Sequence, residues 1–169
     1  LNEAERLGYW PPEFSMVLIC LIPKSDGGRR PIGLFPTLIR IWMRIRSVRT
    51  KAWRASHMQP YAFAGPGRSA QRAAWAQGFR AEAAKMRGRA YAASLIDLVK
   101  AFERLPHDKI IAAAVKHDYC LTTLRLSLAA YRMPRSIVID GACSRAVTAT
   151  MGITAGAGHA TEELLCLML

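Results

Sequence analysis

Four short stretches of this 169-residue chain carry side chains of the kind that do chemistry. Ile22-Pro23-Lys24 and Arg30-Pro31-Ile32 flank the turn cluster Ser25-Asp26-Gly27-Gly28, which crowds cations at a hairpin tip. Such a tip can hold an anion, and equally can be an ordinary solvated turn. Asp97 closes the apolar stretch Arg89 to Ile96 and precedes Leu98-Val99-Lys100-Ala101-Phe102-Glu103. A carboxylate there suits a divalent cation, and it also suits a helix N-cap. Asp140-Gly141 marks a hairpin turn, and Gly152-Ile153-Thr154-Ala155-Gly156 spaces two glycines so that backbone can approach a neighbour closely. Other combinations carry less. His117 and Cys120 have H-x-x-C spacing but fall two ligands short of a zinc site, and His57, His107 and His159 lack a Ser or Cys partner at any spacing diagnostic of a triad hydrolase.

The elements that position these residues follow from pattern. Leu1 to Phe14 reads as a short helix stopped by Pro11 and Pro12, and Met16 to Pro23 as an apolar strand that returns through Arg29 to Leu34 in a hairpin. Thr37 to Ser56 places Leu38, Ile41, Trp42, Ile45, Val48 and Trp53 at helical spacing, with Arg40, Arg44, Arg46, Arg49, Lys51 and Arg54 largely on other faces. A second helix is expected from Ser69, a candidate cap, to Met86, ending near Gly88. Arg89 to Ile96 reads as a buried strand, Pro106 to His117 and Leu121 to Arg132 as helices, Ser136 to Asp140 and Ser144 to Thr150 as a second hairpin, and Ala160 to Leu169 as an apolar helix. The pattern predicts an α+β fold in which antiparallel strands pack with helices.

Length and composition bound the answer. A chain of 169 residues, 51% hydrophobic and 21% charged, buries a core of its own and is neither disordered nor collagen-like. Its 24 Lys and Arg against 12 Asp and Glu leave +12, which points to an anionic partner, nucleic acid first. Arg outnumbers Lys 18 to 6, and the planar guanidinium suits bidentate phosphate contacts. The 27 alanines leave a second cause open, a genome biased towards Arg and Ala codons. Four cysteines without a C-x-x-C pair suggest a reducing, intracellular compartment, nucleus or cytoplasm undecided. The longest strongly apolar stretch, Met16 to Ile22, is far short of the roughly 20 residues that cross a bilayer. Leu1 to Arg6 shows neither an initiator Met nor a basic signal-peptide region, so the chain is expected to be part of a longer one.

Taken in order, the four stretches resemble the reverse transcriptase family, in the branch of non-LTR retroelements and group II introns. There the pattern runs I-P-K, a turn, R-P-I; then D-x-x-K-A-F-D; then an N-G or D-G hairpin; then G-x-P-Q-G and a helix. The resemblance covers residue 8 to the end and implies a fingers region at 1–88 and a partial palm at 89–169. It implies an RNA-directed DNA polymerase acting on an RNA template, a DNA primer and deoxynucleoside triphosphates, by nucleotidyl transfer to a 3′-hydroxyl clamped by two Mg²⁺. Two such ions about 3.8 Å apart repel by roughly 17 kcal/mol at an effective dielectric of 20, more than one carboxylate can offset. The family supplies the remaining carboxylates from a Tyr/Phe-x-Asp-Asp hairpin that does not occur within these 169 residues, so the isolated chain is expected to be inactive.

Residue by residue, the resemblance makes Asp97 the catalytic metal ligand, with the Leu98 carbonyl as a second contact to metal. The amides of Lys100 and Ala101 would lie along the triphosphate, Phe102 would be the gate beneath the sugar, and Lys24 and Arg30, with Arg29 assisting, would neutralise the β and γ phosphates. Apart from the resemblance, Arg40, Arg44, Arg68 and Arg72 suit template phosphates and equally suit an ordinary solvated helix face, and none is assigned individually. Gly152, Ala155 and Gly156 would lie against the incoming nucleotide. Here the chain departs from the family: Thr154-Ala155 stands in place of Pro-Gln and Ala160-Thr161 in place of Ser-Pro, while Glu103 replaces a common Asp. Those departures motivate the alternative of a non-catalytic, basic RNA-binding module derived from such an enzyme. A membrane-surface role for the Thr37 to Ser56 helix ranks below both.

Overall fold

A computed structural model of the chain describes residues 1–63, 67–94 and 98–169. They fall into two compact units, one built from 1–55 and 100–169, the other from 56–99.

The first unit rests on a sheet. β1 (Val17–Pro23) pairs antiparallel with β2 (Arg29–Leu34) from Leu18↔Leu34 to Pro23↔Arg29, which is the expected basic-tipped hairpin. β3 (Pro134–Ile139) turns through Asp140 and Gly141, both at positive φ (47° and 82°), into β4 (Ala142–Cys143). Positive φ at both central residues is the hairpin turn that matches strand twist, and Asp-Gly favours it. β5 (Val147–Thr148) also pairs with β3. The sequence pattern did not indicate the join between the two hairpins: β3 lies parallel to β1, Val17 opposite Arg135 and Cys20 opposite Val138. The sheet is therefore mixed, in the order β2-β1-β3-β4, rather than antiparallel throughout. With helices packed against it the fold is α+β, as expected.

The strand expected over Arg89 to Ile96 is a correction. Residues 89–94 are exposed and form no strand, and Leu95, Ile96 and Asp97 lie outside the described residues. Residues 89–94 are rich in alanine and have no β-branched side chain, and all of them are exposed, so the stretch lacks the buried face that holds a strand in a sheet.

Around the sheet, α1 (Asn2–Leu7), α2 (Thr37–His57), α4 (His107–Lys116), α5 (Leu121–Tyr131) and α6 (Ala160–Met168) supply the core, while α3 (Ala70–Met86) belongs to the second unit. The core face of α2 differs in part from the expected one, sharing Trp42 and Trp53 with it. Ile39, Trp42, Met43, Thr50 and Trp53 are buried, whereas Leu38, Ile41, Ile45 and Val48 are exposed. Apolar periodicity selected the longer stripe, but one partly buried and one largely buried ion pair let charged residues join the shorter one. Glu5 takes both Arg46 Nε (2.5 Å) and Nη2 (2.6 Å) and accepts the Trp42 indole N–H at 2.7 Å, so its carboxyl is held below the usual range by Arg46. Arg54 meets Glu162 of α6 at 2.8 Å with both side chains largely buried. Trp42 packs edge-on between Trp10 and His159, ring centroids 5.3 Å apart in each case.

In the second unit, Ser69 caps α3 by accepting the Arg72 N–H at 3.2 Å, as the pattern predicts, and Arg68 donates to the carbonyls of Gln59 (2.7 Å) and Ala62 (2.5 Å).

The α5–α6 contact encloses a polar cluster that apolar patterning does not reveal. His159 reaches the Met43 carbonyl at 3.0 Å and the Ser127 hydroxyl at 3.3 Å, and burial keeps it neutral. The Tyr131 hydroxyl donates to Glu163 at 2.5 Å, and burial pushes the Glu163 carboxyl up from 4.5 to about 8. The native state therefore holds a proton on Glu163 that the unfolded chain releases above about 4.5, so this group's contribution to stability falls as pH rises from there to about 8. Glu163→Gln, which keeps the acceptor for Tyr131, is expected to flatten that loss: thermal melts at about pH 4 and about pH 8.5, each half a unit outside the window, will show the variant gaining on the parent at the higher pH.

Candidate functional site

The Gly152–Gly156 loop is held from two sides by main-chain hydrogen bonds. Gly152 N–H donates to the Leu105 carbonyl at 2.8 Å and Ile153 N–H to that of Phe102 at 2.7 Å, which docks the loop on the turn after Lys100. On its other side, the Ala155 carbonyl accepts the Gly33 N–H at 2.7 Å. Gly33 therefore points its N–H away from β1, and Pro31, two residues earlier on the same edge, has no N–H to leave unpaired there.

These approaches explain the glycines. Gly152 (φ +90°) and Gly156 (φ +101°) adopt left-handed backbone, and a Cβ would lie 2.6 Å from the Glu103 carbonyl oxygen at the first and 2.6 Å from that of Gly33 at the second. A Cβ at Gly33 would sit 2.5 Å from Thr154 Cγ2. Space and torsion exclude a side chain at 152 and 156 together.

A histidine that sequence reasoning set aside completes the clamp. Buried His107, at the start of α4, places Nε2 2.9 Å from the Gly152 carbonyl, while its Nδ1 accepts from Arg132 Nε at 3.2 Å. Because guanidinium only donates, Nδ1 is the acceptor and the proton sits on Nε2, which donates to Gly152. The available signal was its position, four residues beyond Glu103, rather than a nucleophile partner.

A cleft of about 410 Å³ opens beside the loop, lined by Ile19, Pro31, Gly33, Glu103, Arg135, Ile137 and residues 147–155. Its walls are mostly apolar, and two of its side chains hold buried polar atoms without partners among the described residues, Arg135 Nε and Thr154 Oγ1. Arg135 is anchored through the Tyr131 carbonyl at 2.5 Å.

The structure brings together some of the expected site residues. Phe102 binds the loop through its carbonyl, and Lys100 (exposed, φ 52°) and Ala101 begin the same turn, closed by Arg104 N–H on the Lys100 carbonyl at 3.2 Å. Gly152, Ala155 and Gly156 form the loop itself. Ala155 presents only a methyl group, and its carbonyl is taken by Gly33. Lys24 and Arg30 stand with Asp26 around a separate recess at the hairpin tip, on the sheet face opposite Pro31 and Gly33 by the alternation of β2. The tip is closed by Lys24 N–H on the Gly28 carbonyl (2.8 Å) and Gly28 N–H on Asp26 Oδ1 (2.9 Å). Arg30 lies three residues along β2 from Gly33, roughly 10 Å. Leu98 is exposed and belongs to the 56–99 unit, and Asp97 lies outside the described residues. Among the described residues no group of three or more His, Cys, Asp or Glu is placed to hold a metal ion. No described helix is long and apolar enough to cross a membrane.

Scans of the sequence against protein-family models and against curated proteins return no match.

The two costs at the glycines separate experimentally. Gly141 shares positive φ but has nothing within 4 Å of its Cβ position. Gly141→Ala is expected to cost about 1 kcal/mol of torsional strain, and Gly152→Ala about 3 kcal/mol or more because backbone must also move. Chemical denaturation of both variants checks the difference.

Proposed function

We propose that the chain is the fingers and partial palm of an RNA-directed DNA polymerase. One observation supports the reading above the others: stretches that match the family in linear order meet in space, the 100–105 turn and the edge of β2 both hydrogen-bonding the 152–156 loop. Nothing in composition or local propensity requires residues 33, 102 and 155 to share hydrogen bonds. A template-directed enzyme needs such a join, because a main-chain surface that reads shape must be fixed relative to the groups that hold the triphosphate.

On this reading Lys24 and Arg30 are the cations for the β and γ phosphates, although both line a recess on the sheet face opposite Pro31 and Gly33; the exposed turn at Lys100 and Ala101 carries the amides assigned to the triphosphate, and Phe102 closes the space beneath the sugar. Mg²⁺, where bound, would neutralise the reacting oxygens. Asp97 is the residue assigned to hold it, with carboxylates from a Tyr/Phe-x-Asp-Asp strand that these 169 residues do not contain.

Thr154 and Ala155 favour a second reading. A methyl group cannot hydrogen-bond a sugar, and the Thr154 side chain is buried, so the loop of this chain is built to pack against β2. A basic RNA-binding module without catalysis accommodates that directly.

Primer extension by the complete parent protein, carrying the carboxylates that these 169 residues do not contain, separates the two. In the polymerase, Asp97→Ala abolishes extension with Mg²⁺ while RNA binding, measured by filter retention, stays nearly intact. Extension that survives the substitution overturns the assignment, and RNA binding with no extension by the parent favours the binding module.

A further inference from the structure

The helix α2 carries two apolar faces, and the fold uses one. At 100° per residue the buried Ile39, Met43, Thr50 and Trp53 define one side. Leu38, Ile41, Ile45, Val48, Ala52 and Ala55 lie about 150° round from it, at successive spacings of three and four residues, and all six are exposed. The large ones are substantially so: Leu38 38%, Ile41 46%, Ile45 51% and Val48 75%. This is the a/d seam of a coiled coil, sustained for three heptads on a helix of 21 residues, about 31 Å long.

The flanks of the seam decide what fits it. In the heptad set by Leu38, the g positions are Thr37, Arg44 and Lys51 and the e positions are Trp42, Arg49 and Ser56, and α2 contains no acidic residue at all. Arg46 and Arg54, the arginines that pair with Glu5 and Glu162, sit on the core side. Arg44 and Lys51 have no acidic partner among the described residues. A second copy would set Arg44, Lys51 and Arg49 against one another in either orientation, and like charges across a seam oppose pairing. A bilayer surface wants a broad face with aromatic anchors, whereas this stripe is narrow and purely aliphatic.

We propose that the outer face of α2 is a docking surface for an acidic amphipathic helix of another protein segment, one with apolar residues at a and d and carboxylates at e and g. Its apolar residues pack on Leu38, Ile41, Ile45 and Val48, and its carboxylates meet Arg44 and Lys51, with Arg49, whose Nη1 donates to Cys120 Sγ at 3.4 Å, adding positive charge beside them. Because α2 is already ordered by the core, the partner alone loses conformational freedom on binding. The surface is independent of the polymerase reading and stands or falls without it.

The test uses the whole 169-residue chain and two labelled synthetic helices of matching length, with Leu at a and d and either Glu or Lys at e and g. Fluorescence anisotropy is expected to show binding of the Glu-flanked helix at least about tenfold tighter than of the Lys-flanked one. Ile45→Glu, at a half-exposed position whose unchanged melting temperature shows that the chain still folds, abolishes it. The pair Arg44→Glu with Lys51→Glu reverses the preference between the two helices, which a merely sticky surface would not do. Equal binding of both helices, or binding untouched by Ile45→Glu, overturns the proposal. So does sedimentation showing an Ile45-dependent dimer of the free chain, or Ile45-dependent binding to phosphatidylserine vesicles, because the face then belongs to a second copy or to a membrane.

Discussion

Three main-chain hydrogen bonds, from Gly152, Ile153 and Gly33, are the constraint on which the centre of this fold depends. They join segments distant in sequence, and the approach that makes them possible needs glycine at 33, 152 and 156, whose Cβ positions are occupied by neighbouring atoms. The loop also solves a problem of the sheet. β2 is an edge strand, and an exposed edge offers unpaired N–H groups to any other strand. Ala155 takes one of them, Pro31 has none to offer, and the edge closes without a further strand.

His107 shows how such a clamp is made directional. A histidine that accepts from arginine at one nitrogen is left with a single tautomer, and its other nitrogen must donate. The Gly152 carbonyl receives that proton while its own N–H is bound to Leu105, so both polar groups of a strained glycine are satisfied inside the protein. Buried position and fixed tautomer assign His107 to holding the loop. That role agrees with the lack of any nucleophile near it in sequence, and it is a role that motif spacing alone does not express.

Local chemistry was legible in the sequence and long-range pairing was not. The Asp140-Gly141 turn, the basic hairpin, the Ser69 cap and the existence of every helix in the first unit follow from torsional preference and periodicity, which are properties of neighbours. The parallel β1–β3 pairing needs residues over a hundred positions apart, which no local pattern expresses. On α2 the failure has a different cause. Two stripes share one helix, and hydropathy favours Leu38, Ile41, Ile45 and Val48 over a core face that includes Thr50 and ends beside Arg46 and Arg54. Only tertiary partners, Glu5 and Glu162, make the second face the one to bury. Of the candidate site, the glycine loop and the 100–105 turn were found from their residues, while Gly33 and His107 were not, because their significance lies in what they touch.

The net charge of +12 has to be read through the same contacts. An arginine bound to a carbonyl keeps its charge but loses its freedom to follow a ligand. Arg68, Arg125 and Arg135 spend donors on the carbonyls of Gln59 and Ala62, Leu7 and Tyr131, Arg132 on His107, and Arg46 and Arg54 on the carboxylates of Glu5 and Glu162. A guanidinium with five donors in a plane does this better than an ammonium, which gives the excess of Arg over Lys a structural cause alongside any phosphate ligand. Many cations still face outward, on α3, α4 and the 100–104 turn among other places, and two groups of them stand out: Lys24, Arg29 and Arg30 at the tip of the β1–β2 hairpin, and Arg44 and Lys51 along α2. Long-range attraction of an anion is a property of the whole charge, but where it comes to rest is decided by the groups still free to turn towards it. The two clusters differ in their surroundings, one at a polar turn and the other beside an aliphatic seam, so the first is suited to phosphate and the second to carboxylates on a helix.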